Sequence, residues 1–410
     1  MGTDIITASN FADIVGVSKA TLLKWERSGK LVPHKDNAGN KYFFANELMK
    51  IPQVREMVNS AWEKEMETRP LRPYTSIELF AGAGGLALGM EMAGIKHVLL
   101  NDVDHDSCET LRHNRPLWVV AEGDIHNLSF CGYKGKVDIV TGGFPCQAFS
   151  YAGNKGGFED ARGTLFFELA RAVKETRPKV FLCENVKGLA SHNNGKTLKT
   201  IRSVISELGY TLVEPQVLRA IKYKVPQKRE RLIMVAIRND LVDRVEFRWP
   251  SPYHRIMTLR DAFYKGELYA TDVPESAGQR YPEKKRKVME LVPMGGYWKD
   301  LPENIQREYM GGSYLLEGGK TGMARRLSLD EPSLTLTCAP AQKQTERCHP
   351  IETRPLTVRE YARIQTFPDD WVFTGNLSSQ YKQIGNAVPV NLAYAVGRSI
   401  VRLLNDIEKL

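Results

Sequence analysis

Two stretches carry side chains whose surroundings suit reactivity. In Thr141-Gly142-Gly143-Phe144-Pro145-Cys146-Gln147 a thiol follows a pair of glycines and a proline. Val137-Asp138-Ile139-Val140 ahead of it is apolar and β-branched, as in a short buried strand of a parallel sheet. The glycines would let the backbone turn sharply without a Cβ clash, and Pro145 fixes φ beside the thiol. Cys146 is thereby presented rigidly at the carboxyl end of a strand, where open α/β sheets place ligands. A cysteine that only packs is buried and inert, and needs no such loop. The second stretch, Glu184-Asn185-Val186, ends the apolar strand 179–183 and brings a carboxyl to the same edge. Thiol and carboxyl on one edge suit attack by a thiolate, with an acid managing the charge that develops. Further on, Gln227-Lys228-Arg229-Glu230-Arg231 leads into a strand over 232–236. Alternation turns Gln227, Arg229 and Arg231 to one side.

These groups need a scaffold, and the segments around them supply one. Thr75-Ser76-Ile77-Glu78-Leu79 reads as a strand that runs into Phe80-Ala81-Gly82-Ala83-Gly84-Gly85-Leu86 and then a helix to about Ala93. Such a turn lets backbone N–H groups approach a carboxylate or phosphate at the helix N-terminus, although dehydrogenases and many nucleotide binders share it. The next strand ends at Asp102, where an acid can accept from both hydroxyls of a ribose. Its bland reading is a helix N-cap, which Asp104 could serve equally well. After a strand near 118–120, Gly123-Asp124-Ile125 places an acid to accept from an adenine amino group. Residues 156–162, rich in glycine and charge, have the look of a mobile cover. Strands alternating with helices over this span predict a doubly wound, mostly parallel α/β domain comprising residues 74–244 and 351–410.

The flanking segments differ. Residues 1–55 read as a small separate unit: a helix over 10–15, a Gly16-Val17-Ser18 turn, a second helix over 19–27, and a wing with Ala38-Gly39 at its tip. Helix, tight turn and helix form a winged helix-turn-helix pattern whose second helix, with Lys24 and Arg27 exposed, can enter a major groove. This segment resembles the MerR-type regulators. Residues 56–73 read as a charged linker helix. Between 245 and 350 prolines, Gly-Gly pairs, aromatics and basic clusters break the α/β pattern, which suits a smaller irregular domain with loops for a groove. Order returns at Arg354-Pro355-Leu356-Thr357, where Thr357 and Glu360 form a capping box. Gln383-Ile384-Gly385-Asn386-Ala387-Val388-Pro389 then precedes a final apolar helix.

Composition narrows the class. The six cysteines form no C-x-x-C pair, which argues against a zinc site or a disulfide framework and suits a reducing compartment, and no metal is expected. No apolar run approaches the ~20 residues that a membrane span needs, so a cytoplasmic protein with no membrane partner is expected. A net charge of +9 points toward a polyanion.

Taken in order, the blocks at 80–85, 142–147, 184–186, 227–231, 354–357 and 383–389 resemble the bacterial DNA (cytosine-5)-methyltransferases of restriction–modification systems, over about residues 74–402. The resemblance implies S-adenosylmethionine as methyl donor, double-stranded DNA as partner, and a target-recognition domain at 245–350 in which Thr335-Leu336 matches the family's short signature. It implies that Cys146 adds to C6 of a flipped cytosine, that Glu184 holds N3 and the exocyclic amine, and that Arg231 secures O2 while Arg229 positions thiol and ring. For the cofactor it implies Phe80, Gly82, Gly84, Gly85 and Leu86 around the adenine and methionine ends, and Asp102 on the ribose where the family often has Glu. Asp124 and Ile125 fall at the adenine, and Pro145, Leu165, Asn386 and Val388 complete the set. A monomer is expected, with a cognate endonuclease in the same system but no direct contact to it. The N-terminal unit would repress its own gene.

Three other classes compete. A nicotinamide-dependent oxidoreductase would leave the Cys146 and Glu184 loops idle. A pure transcription regulator would need only the first 55 residues. An RNA cytosine methyltransferase of the same fold lacks a use for the variable domain and the helix-turn-helix.

Overall fold

The computed structural model describes residues 5–144, 165–316, 318 and 320–410; Pro145, Cys146 and the stretch 156–162 lie outside these described residues. Strand β1 (Ile5–Thr7) leads into helices α1 (Ala8–Val15) and α2 (Lys19–Arg27), then β2 (His34–Lys35) and β3 (Lys41–Phe44). The chain turns between the helices because Gly16 takes φ +83° and the Ser18 hydroxyl accepts from the Thr21 amide, which caps α2. The three strands form an antiparallel sheet in the order β1-β3-β2.

Two expectations for this part of the chain need correction. The single linker helix is instead a pair of short ones, α3 (Pro52–Val58) and α4 (Trp62–Met66). Ser60 breaks the run, its hydroxyl accepting from the Trp62 amide at 3.0 Å. Charge dominates the composition there, but the few apolar residues decide the packing. Val54 and Met57 close the core of the N-terminal unit, whereas Trp62 enters the main core beneath the Arg398 guanidinium, 4.3 Å from its ring centre. Nor is the unit at 1–55 separate, since Ile221 and Ile256 of the main body complete its core.

In the main body the order is β4 (Tyr74–Leu79), α5 (Gly85–Met92), β5 (Ile95–Asp102), α6 (His105–Asn114), β6 (Val120–Glu122), β7 (Ile139–Gly143), α7 (Leu165–Thr176), β8 (Val180–Val186) and α8 (Lys196–Glu207). Strands β9 (Tyr210–Leu212), β10 (Gln216–Arg219), β11 (Gln227–Lys228) and β12 (Glu230–Arg238) follow. One eight-stranded sheet runs β10-β12-β8-β7-β4-β5-β6, with β9 on β12; the pairs from β8 to β6 are parallel and those of β12 antiparallel. The chain leaves β4 toward β5 on one side and returns as β7 on the other, so the carboxyl ends of β4 and β7 flank a topological switch point.

Strict alternation divides the core between the two faces of this sheet. Val180, Leu182, Ile233 and Val235 pack against α5 and the C-terminal helix, while Phe181, Cys183, Leu232 and Met234 pack against α7 and α8. Glu184 and Arg231 share the parity of the first set, and both therefore stand on the face that meets the C-terminal helix.

The remaining elements are α9 (Asn239–Val242), α10 (Leu259–Phe263), α11 (Glu283–Glu290), α12 (Glu303–Met310), β13 (Ser333–Leu334), α13 (Val358–Ile364), α14 (Leu377–Asn386) and α15 (Val390–Glu408). The boundary expected at 245–350 also shifts. Phe247, Tyr253 and Met257 belong to the sheet's core, and Leu259, Phe263, Leu327 and Leu336 pack with α13 and α14. A core of its own exists only for the inner part, around Met289, Trp298, Met310 and Met323. The composition changes at 245, but the apolar residues on either side of that point are buried together.

Candidate active site

The glycine turn after β4 is built for close approach. Phe80, Gly82 and Gly84 take φ of +56°, +53° and +86°. The Gly82 amide donates to Asp102 Oδ2 at 2.7 Å and the Asp104 amide to Oδ1 at 2.8 Å. Asp104, not Asp102, caps α6, accepting from the Ser107 amide at 3.0 Å. Asp102 therefore stands free of the N-cap role with lone pairs to spare on both oxygens. Burial pushes its carboxyl above the usual range although both amides oppose this. A Cβ on Gly85 would sit 2.3 Å from the Val388 carbonyl oxygen, and one on Gly89 would sit 2.4 Å from Ala393 Cβ. These glycines let α5 lie directly on α15, which seats Asn386 and Val388 over the turn.

The opposite wall holds the charged groups. Parallel pairing sets Gly143 beside Glu184, and a Cβ at 143 would stand 2.8 Å from Glu184 Oε2. Gly142 and Gly143 were expected to make a turn. They are instead the last two residues of β7 at ordinary φ, and their missing side chains provide room, for Leu79 and Leu169 at 142 and for the Glu184 carboxylate at 143. The Asn185 side chain donates to the Phe144 carbonyl at 2.7 Å, pinning the backbone that leads into Cys146. From β12, Arg231 Nε lies 2.6 Å from Glu184 Oε1 in a pair that is almost wholly buried. Burial drives the Glu184 carboxyl up, against the pull of Arg231 and Arg229. Arg229 is buried, and its guanidinium donates to the carbonyls of Leu336 at 3.2 Å and Gly385 at 2.9 Å, so one side chain ties three chain segments together. Its buried Nε has no hydrogen-bond partner among the described residues.

Between these walls lies a cavity of about 890 Å³, a size suited to a small-molecule site. Phe80, Gly82, Gly85, Leu86, Asp102, Glu184, Arg229, Arg231, Thr335, Leu336, Asn386 and Val388 all line it. Other expected residues are placed elsewhere. Gly84 faces Leu111 and Trp371, Ile125 is in the core, and Leu165 packs beside that core at the start of α7. The Asp124 carboxylate is exposed and holds His126, accepting from its amide at 3.0 Å with Nδ1 at 2.6 Å. Thr335 and Leu336, expected to touch DNA, face the cavity and are bound to the arginine block: Thr335 Oγ1 donates to the Lys228 carbonyl at 2.9 Å and the Leu336 amide to Gln227 Oε1 at 3.0 Å.

Two of the cavity residues that were not anticipated bear on its chemistry. Cys338 Sγ stands 3.2 Å from Asn386 Oδ1. Glu78, next to last in β4, is fully buried, its carboxylate accepting from Thr141 Oγ1 at 3.2 Å; an acid between Ile77 and Leu79 was the available signal. Burial pushes its carboxyl up to about 8 from 4.5. The folded state keeps this proton up to about pH 8 while the unfolded chain releases it near 4.5, so native stability falls as pH rises between those values. Glu78→Gln should match the unaltered protein near pH 5 and exceed it near pH 9, by on the order of 5 kcal/mol less whatever the Thr141 bond loses. Urea unfolding at the two pH values measures this.

Three of the described thiols are buried and poorly placed to ionise. Burial raises Cys183 strongly, Cys108 to about 12 and Cys348 to about 11.

The profile of C-5 cytosine-specific DNA methylases matches residues 74–402. The Type II methyltransferase M.Eco47II of Escherichia coli is 63% identical over 402 residues, covering 98% of this chain and 96% of the relative. M.PspPI of Psychrobacter sp. (strain TA137) is 59% identical over 404 residues, covering 98% and 97%. Among solved structures, a DNMT2 variant from Spodoptera frugiperda superposes with a TM-score of 0.56 at 17% identity, covering 81% of this chain and 99% of that one, which speaks to the fold alone. With a buried acid–arginine pair and a glycine cradle on one sheet edge, and with this match over most of its length, the chain belongs to the C-5 cytosine-specific DNA methylase family.

Proposed function

We propose that the chain methylates C5 of a specific cytosine in double-stranded DNA, as the modification enzyme of a Type II restriction–modification system, and that Cys146 is its nucleophile. The observation that carries the mechanism is the Glu184–Arg231 pair beside Gly143, because Cys146 follows Gly143 by three residues in the sequence.

C5 of cytosine is a poor nucleophile until something adds at C6. The Cys146 thiolate forms the S–C6 bond and the ring electrons move toward C5 and N3. A proton held by Glu184 at N3 neutralises that charge, and the upward push on Glu184 from burial lowers the cost of carrying it. Arg231 secures O2, and Arg229 fixes the carbonyls behind the ring. Once C5 has been alkylated, a base removes its proton and the S–C6 bond breaks, returning the thiolate. Because none of these contacts is possible inside a duplex, the base must be flipped out.

The glycine turn fits S-adenosylmethionine: amides at Gly84–Leu86 for the methionine carboxylate, Asp102 for the ribose, Phe80 for the adenine, and Asn386 and Val388 at the methionine end. When bound, that cofactor supplies an electrophilic methyl group. Asp124, Ile125, Pro145 and Leu165 would add further contacts to the cofactor. Exposed Lys24 and Arg27, with no ion-pair partner among the described residues, support a duplex contact by α2; its regulatory form would be repression of the chain's own gene. Family membership favours DNA over RNA as substrate.

The test is a duplex with 5-fluorocytosine at the target. Fluorine cannot leave as a proton does, so an S–C6 adduct should persist in denaturing gels when cofactor is present. Methyl transfer to duplex DNA without any trapped adduct would overturn the mechanism.

A further inference from the structure

The N-terminal unit grips the back of the catalytic wall. Asp13 Oδ1 on α1 lies 2.9 Å from Lys228 Nζ. Asp13 is 8% exposed, and its other oxygen is buried with no hydrogen-bond partner among the described residues. Six residues along the chain from Asp13, Lys19 Nζ lies 2.6 Å from Glu331 Oε1, which also accepts from Ser9 Oγ at 3.1 Å. Arg219 Nη1 donates to the Ile14 carbonyl at 3.1 Å.

Lys228 sits between Gln227 and Arg229 on β11, and Glu331 precedes β13, which pairs with β11 in parallel. Alternation sends Lys228 away from the side taken by Gln227 and Arg229. These two short strands and the residues that flank them thus present Arg229, Thr335 and Leu336 to the cavity and Lys228 and Glu331 to the N-terminal unit. A two-stranded pair has little stability alone, so what holds its outer side sets where its inner side stands.

Resting on the function proposed above, we infer that Asp13 is a positioning residue for methyl transfer: through Lys228 it fixes the segment that leads directly into Arg229 and Arg231 and so places both against the base. The N-terminal unit is then a working part of the catalytic wall, whatever else its α2 helix contacts.

The test uses full-length Asp13→Asn, Lys228→Gln and the double variant, with single-turnover methyl transfer to duplex, equilibrium binding of S-adenosylmethionine and thermal unfolding measured on each. Each single change should slow transfer roughly 10-fold at saturating cofactor, since small misplacements at a reacting centre are costly, while cofactor affinity stays within about twofold. The double variant should be no slower than the slower single, because both remove one interaction. Rates that match the unaltered protein, or that fall only with the folded fraction, would overturn the inference, as would losses that multiply in the double. Should Asp13→Asn not fold, Lys228→Gln decides by the same rate and affinity comparison. If the unaltered protein methylates no duplex, the function itself is wrong; if it does and the variants keep pace, only the positioning role fails.

Discussion

Cys146→Ser should abolish covalent attachment to a 5-fluorocytosine duplex and reduce methyl transfer to background, while the folded protein still binds cofactor. A serine hydroxyl near its ordinary pKa offers almost no anion at neutral pH, whereas a thiolate is accessible there, particularly where backbone dipoles and a cationic cofactor lower its pKa. The other thiols sharpen the expectation. Cys183 pairs with Gly142 in the sheet and lies on the face opposite to Glu184, buried with α7 and α8. Cys348 sits in the separate core around Met289, Trp298, Met310 and Met323. Serine at either position should leave trapping intact. Cys338 lines the cavity and is the informative control: an adduct that survives Cys146→Ser and vanishes on Cys338→Ser would move the nucleophile to the other wall. Peptide mapping of the adduct reads the answer directly.

Breaking the Glu184–Arg231 pair is the second large effect. Glu184→Gln keeps shape and polarity but can no longer pass a proton at N3, and should lower turnover by on the order of 10²-fold or more. Glu184→Ala and Arg231→Ala should lose at least as much. Each also leaves a buried group unpaired, at a stability cost on the order of 3–5 kcal/mol. Arg231→Ala has a further signature. Arg231 is the leading influence that pulls the buried Glu184 carboxyl down, so its removal should move the Glu184 limb of the pH–rate profile to higher pH. Cofactor affinity should barely change in any of these variants, because the glycine turn and Asp102 lie on the other wall. A variant that lost cofactor binding but transferred methyl normally at saturation would reverse the assignment.

What could be read without the structure was whatever local chemistry imposes. The strands at 75–79, 179–183 and 232–236, the Ser18 cap, the Thr357–Glu360 capping box and α2 at 19–27 depend on near neighbours in the chain, and they stand where periodicity and capping residues put them. Phe80, Asp102 and Glu184 each stand at the carboxyl end of an expected parallel strand, which foretold that they would meet at one sheet edge, whereas Arg231 and Asn386 were brought there only by the family resemblance.

Tertiary packing decided the rest. Gly142 and Gly143 read as a turn because glycine permits one, yet their use depends on Leu79, Leu169 and Glu184, all distant in sequence. Glu78 looked like an ordinary strand residue until strands on both sides took away its water. Residues 245–263 and 327–336 looked foreign to the catalytic domain by composition, but their apolar side chains complete its core. The N-terminal unit looked detachable because a composition change marks its edge. Ile221, Ile256, Lys228 and Glu331, which hold it in place, come from segments hundreds of residues away, and only the folded chain brings an acid at 13 to a lysine at 228.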